Sequence, residues 1–288
     1  MRHPIIIFIF ASIFILIPCS YAQYEPGSLF TAARSGDLDT VKKLLNEQTT
    51  QETLNNALGA AVVGDQIEAI KFLVERGAQV NHLSSWETPL LTNAIMSDHI
   101  QAAQTLIELG ADVNTKGYRK LDQDIYIDWQ WTPLMCAGRK GHLPLIKSLI
   151  KHKARIDEVG WSQSADDLET ATDIAAYSGH LEALKFLLKN GGEIHTNTLF
   201  KVVRGGHLEI LKYILPRKFD INQAGTFQDR TLLMEAAWWG HEDITAFLIQ
   251  KKADLNKRDK FGLTALQHAK NENHPQIYEL LKNNGAQE

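Results

Sequence analysis

The 288 residues are 44% hydrophobic and 22% charged, the balance of an ordinary folded chain, which excludes wholesale disorder. Thirty-four acids against 30 bases leave a formal net charge of −4, no footprint for nucleic acid. Two cysteines, Cys19 and Cys136, are too few for a disulfide-stapled scaffold.

In chain order, the first residues read as an address rather than as fold. Arg2 supplies a basic start, Ile5 to Ile17 an apolar run, and Ser20-Tyr21-Ala22 the small residues that a signal peptidase accepts. The run is short for a bilayer span. The expectation is a cleaved secretory signal over 1–22 and a mature chain from Gln23. The protein would be exported, periplasmic in a Gram-negative cell and otherwise secreted, with no stable membrane insertion after cleavage. An uncleaved anchor is the rival reading. Lipidation at Cys19 is disfavoured by Pro18 before it. Cys136 would then remain alone, a buried thiol beside Ala137.

The rest is filled by imperfect copies of Thr132-Pro-Leu-Met-Cys-Ala-Gly-Arg-Lys-Gly-His142 and the apolar stripe after it. Proline is tolerated in a first helical turn, and glycine at 141 can close the helix in the left-handed conformation. Leu145, Ile146, Leu149 and Ile150 then mark one face of a second helix from about Pro144. Related stretches begin at Thr88, Thr170 and Thr231, and weaker copies centre on Gly36, Gly64, Gly206 and Asn273. Anchors at 36, 64, 97, 141, 179, 206, 240 and 273 are separated by 33 or 34 residues in three of seven steps. A period near 33 with Thr-Pro-Leu opening the first helix resembles the ankyrin-repeat family. The resemblance covers about 27–286 and implies an all-α solenoid: paired antiparallel helices with β-hairpin-like fingers, in a curved stack. Repeats are expected at about 27–52, 53–86, 87–130, 131–168, 169–196, 197–229, 230–262 and 263–288, forming one domain over 23–288.

Alanine pairs at 32–33, 60–61, 175–176 and 236–237 suit close approach of stacked first helices. Gly141-His142, Gly179-His180, Gly206-His207 and Gly240-His241 recur at repeat spacing. They resemble the family's structural glycine and histidine, the histidine tying neighbouring turns by hydrogen bonds, so no metal site is read there. Ile125-Tyr-Ile-Asp-Trp-Gln-Trp131 alternates with period two, predicting a short β-ribbon in a lengthened finger at 115–131. A second lengthened finger spans 158–169. Asp122, Asp124 and Asp128 lack the glycine and terminal glutamate of a calcium loop.

No catalytic motif is present in the sequence, so no catalytic residue, metal or cofactor is expected. The resemblance implies a partner along the concave side, touching finger tips and the two residues before each Gly-His. The candidates are Trp86, Ile95, Met96, Tyr126, Trp129, Trp131, Arg139, Lys140, Trp161, Tyr177, Arg204, Trp238, Trp239 and Phe261. Aromatic residues and arginine are enriched in protein interfaces. The expected function is non-enzymatic: a monomer holding one folded protein. Two alternatives are an immunity or protector protein for an exported toxin or enzyme, and a sugar or peptide binder using Trp129, Trp131 and Trp161.

Overall fold

The computed structural model describes residues 25, 27–84, 88–122, 125–161, 168–217, 219–225 and 228–287, with backbone alone at 118–122, 125–129, 161, 168 and 217. The expected signal over 1–22 lies outside them. Among them are eight helix pairs. They are α1 Leu29–Ser35 with α2 Leu38–Leu44, α3 Gln51–Val63 with α4 Ile67–Glu75, α5 Leu90–Met96 with α6 Ile100–Glu108, and α7 Pro133–Lys140 with α8 Leu143–Lys151. The remaining four are α9 Ala171–Tyr177 with α10 Leu181–Lys189, α11 Thr196–Arg204 with α12 Leu208–Ile214, α13 Leu232–Trp239 with α14 Glu242–Gln250, and α15 Ala265–Asn271 with α16 Pro275–Asn283. Each first helix packs on the first helix of the next pair, and second helices form the other layer. The fold is an all-α solenoid.

Local chemistry sets each pair. Thr132, Thr170, Thr231 and Thr264 stand just before their helices, and each hydroxyl accepts from the backbone N–H three residues on, a cap worth about 1 kcal/mol. The alanine pairs 32–33, 60–61, 175–176 and 236–237 are all buried, which brings the first helices close. Leu145, Ile146 and Leu149 are buried, each contributing about 1.5–3 kcal/mol of transfer free energy. Helices this short are held by such packing rather than by propensity.

Every first helix is followed by one residue in the left-handed conformation: Gly36, Asp65, Asp98, Gly141, Gly179, Gly206, Gly240 and Asn273. In the second and third repeats this corrects the expected anchors, 64 and 97, by one residue. Gly64 ends α3 in a right-handed conformation. A side chain there would put its Cβ 2.0 Å from the Arg34 carbonyl oxygen, so glycine is kept for space rather than for its backbone angles. In α5 the cap position is held by Pro89, not Thr88, and the helix starts one residue late.

The first lengthened finger forms the expected ribbon, and the second forms a short one as well. β1 Gly117–Asp122 pairs antiparallel with β2 Ile125–Trp131, Gly117 opposite Trp131. β3 Gly160–Trp161 pairs with β4 Leu168–Glu169, and β3 packs against β2. No helix among the described residues is long and apolar enough to cross a membrane.

Candidate protein-binding face

The recurring histidines fix the edge of the first-helix layer. Nε2–H of His180, His207, His241 and His274 donates to the carbonyl of Arg139, Tyr177, Arg204 and Trp238 at 2.9, 2.9, 2.9 and 3.1 Å. Each acceptor is the second residue before a left-handed turn of the preceding repeat. The hydrogen bond therefore fixes the backbone of a residue whose side chain lines the face. Gly141 shows the tolerance: a Cβ there would stand 2.4 Å from Nδ1 of His180. His142 departs from this pattern. Its Nε2 reaches Asp98 Oδ1 at 2.8 Å, beside Lys140 Nζ on Oδ2 at 2.6 Å. Burial raises the Asp98 pKa, but these two partners outweigh it and hold the carboxyl below its ordinary value.

The one-residue shift in α5 decides the fate of Ile95. Counted from the left-handed residue, Ile95 aligns with Gly138 and Ala237, not with Arg139, and it is fully buried. It belongs to the core and offers nothing to a partner. Trp131 is a second correction. It lies only 5% exposed at the base of the long finger, under the Arg139 guanidinium 5.5 Å from its ring. The next finger closes over it, since a Cβ on Gly160 would come within 2.8 Å of its ring. Met96, Arg139, Lys140, Tyr177 and Trp238 are half-buried, whereas Arg204, Trp239 and Phe261 are exposed. Trp86 and the side chains of Tyr126, Trp129 and Trp161 lie outside what is described, as do those of Asp122, Asp124 and Asp128.

Beneath this strip runs a set of charged side chains that sequence reasoning missed. Glu169, 4% exposed, accepts from Tyr177 Oη at 2.9 Å and from Lys201 Nζ of the next repeat. Burial first, and Glu169 second, push the Tyr177 phenol well above its ordinary pKa. Glu235, 1% exposed, accepts from Trp239 Nε1 at 3.0 Å. It also faces Arg204 Nε at 3.7 Å and Arg230 Nη1 at 3.8 Å. The Arg230 guanidinium covers the Trp238 ring at 3.9 Å, and the edge of His268 meets that ring at 5.3 Å. Nε2–H of His268 donates to Asp259 Oδ2 at 3.0 Å. Asp259 in turn organises the last finger by accepting from the N–H of Phe261 and Leu263 at 2.9 Å each. Fully buried His268 has its pKa lowered, by desolvation first and by Arg230 second.

Repeat position was the signal that could have found this set. The fifth residue before the left-handed turn is Ala60, Asn93, Cys136 and Ile174 in four repeats, and Lys201, Glu235 and His268 in the last three. Cys136 is the buried thiol expected, with burial pushing its pKa up to about 12, far from a reactive thiolate. Among the described residues, no group of three or more His, Cys, Asp or Glu side chains is placed to hold a metal.

A family model for ankyrin repeats in three copies matches residues 29–117, 118–198 and 174–259. The chain belongs to the ankyrin-repeat family. It is 26% identical over 269 residues to the ankyrin repeat and KH domain-containing protein mask-1 of Caenorhabditis elegans, covering 90% of this chain and 10% of that protein. It is 32% identical over 129 residues to protein HOS4 of Saccharomyces cerevisiae, covering 44% of this chain and 12% of that one. A 60-residue stretch is 47% identical to palmitoyltransferase akr1 of Schizosaccharomyces pombe, covering 19% of this chain and 9% of the enzyme. The chain thus spans about a tenth of the length of these curated relatives. The crystal structure of the human ASB11 ankyrin repeat domain superposes with a TM-score of 0.62 at 24% identity, covering 78% of this chain and 96% of that one. This likeness speaks for the fold alone. Ankyrin repeats generally mediate protein–protein interaction.

Proposed function

We propose that this ankyrin-repeat chain is a non-enzymatic module that holds one folded protein on its first-helix face, the concave side in the family. Arg204 and Trp239 carry the reading. They are exposed side by side on that face, the guanidinium 5.8 Å from the ring centroid, and both are held from below by buried Glu235. Arginine and tryptophan are the residues most often found to dominate interface energetics. Half-buried Trp238 and Arg139 extend the strip on either side. The proposal includes export: residues 1–22 as a cleaved signal, residues 23–288 as one domain, and a periplasmic or secreted destination, supported by the residues around Arg2, Ile5–Ile17 and Ala22.

Affinity capture with residues 23–288 from an extract of the source cell envelope, followed by mass spectrometry, tests this. One stoichiometric protein retained by the wild type and lost with Trp238→Ala/Trp239→Ala is the expected result. A column that retains nothing specific, or a catch indifferent to the double substitution, would contradict it.

A further inference from the structure

On the reading of the first-helix face as a protein-binding surface, the buried charges beneath it say what the partner brings. Packing does not require charge at the fifth position before the turn, because Ala60 and Cys136 fill it in sister repeats. Burying a carboxylate there is costly unless it is paired. Glu235 is paired twice with groups that reach solvent, accepting from the Trp239 indole at 3.0 Å and facing Arg204 Nε at 3.7 Å. It therefore holds a guanidinium and an indole in one arrangement before any partner arrives, which lowers the ordering cost of binding. The other acids of the floor, Glu169 and Asp259, are engaged by Lys201, Tyr177 and His268.

Charge on the strip points the same way. The two residues before each turn supply Arg34, Arg139, Lys140 and Arg204 against Glu272 alone, with Lys140 held by Asp98 of the preceding repeat, in a chain whose formal net charge is −4. A guanidinium fork presents N–H donors that match a carboxylate, and the indole face takes an apolar group. We infer that the partner seats an acidic segment here, its carboxylate on Arg204 and an adjoining apolar side chain on Trp239. Glu235 is the positioning residue for both.

Selection of displayed random short peptides on the purified full chain tests the inference, with affinities of the enriched peptides then measured at low and high salt. The expected peptides carry Asp or Glu beside a large apolar residue, and they weaken as salt rises. They lose about tenfold or more in affinity with Arg204→Gln and with Trp239→Ala. Lys212→Ala, exposed on α12 in the second-helix layer, leaves them unchanged. Glu235→Gln keeps an acceptor for the indole but removes the charge behind Arg204. It reduces affinity for the peptides, because Arg204 is no longer held in place, while a cooperative thermal transition read by circular dichroism shows that the chain still folds. Enriched peptides that lack acids, or acidic ones indifferent to Arg204→Gln, yet still lost with Trp238→Ala/Trp239→Ala, overturn the inference and leave protein binding on this face standing. Peptides insensitive to every substitution on the face, or no enrichment over a bare surface, also overturn the inference, and the capture experiment with Trp238→Ala/Trp239→Ala then decides whether the face binds a folded protein.

Discussion

The first four repeats and the last four share one backbone plan but not one floor. In the first four, the fifth residue before the left-handed turn is Thr31, Ala60, Asn93 or Cys136. In the last four it is Ile174 and then Lys201, Glu235 and His268. The tenth residue before the turn repeats the contrast, with Trp131 in one half and Glu169 and Arg230 in the other. Its partner eight residues on is Arg139, Tyr177 or Trp238, so one structural slot is filled as Trp over Arg, Glu on Tyr, and Arg over Trp. The neutral half shows, among the described residues, that repeats stack without buried charge. In the other half the buried charge of Glu235 has a use at the surface, where it holds Arg204 and Trp239.

Breaking the charged floor has the largest expected effect. Glu235→Ala leaves buried Arg230 without its closest carboxylate and should cost about 3–5 kcal/mol, measured by urea unfolding. Cys136→Ala, at the same slot in the neutral half, should cost roughly 1 kcal/mol, since it removes one buried atom and no charge. Next in size is Ile95→Ala, expected at about 2–5 kcal/mol because the side chain is fully buried. Met96→Ala beside it, half in solvent, should cost clearly less. A reversed order would refute the one-residue shift of α5.

Smaller, and confined to acid conditions, is the contribution of the two histidines whose pKa values are lowered. Burial is the leading cause for both His207 and His268. The unfolded chain therefore binds protons more readily than the folded one, and stability falls as pH drops. It is fully present above about pH 6.5 and is lost as pH falls towards the depressed folded values. Replacing His268 with Leu should flatten part of the decline between about pH 7 and 5 in thermal melts, with the His207 share remaining. Thr231→Ala removes one helix cap and should cost about 1 kcal/mol.

Much of this was legible in the sequence because its signals are local. Threonine caps, the glycine at 141, the alanine pairs and the period-two run ending at Trp131 each report on their own few residues. The start of α5 was not legible. Thr88-Pro89 looks like Thr132-Pro133 of the fourth repeat, yet Pro89 takes the cap, and every side chain after it rotates by one place. Ile95 went into the core for that reason. Trp131 looked like an exposed finger aromatic, but the following finger covers it, a contact between segments about 30 residues apart. The charged floor is likewise a property of neighbouring repeats. Lys201 finds Glu169 and Arg204 finds Glu235 only after stacking.

The most direct test is one double variant, Arg230→Leu with Glu235→Ile, measured for both stability and binding. Leu263 and Ile174 hold the corresponding slots in sister repeats, and replacing a buried ion pair as a unit by apolar side chains is often neutral or stabilising. The account predicts unfolding within about 1 kcal/mol of the wild type together with loss of the captured partner, since Arg204 and Trp239 lose the carboxylate that holds them. Full retention of the partner, or collapse of the fold, would contradict it and make the charged floor a matter of structure alone.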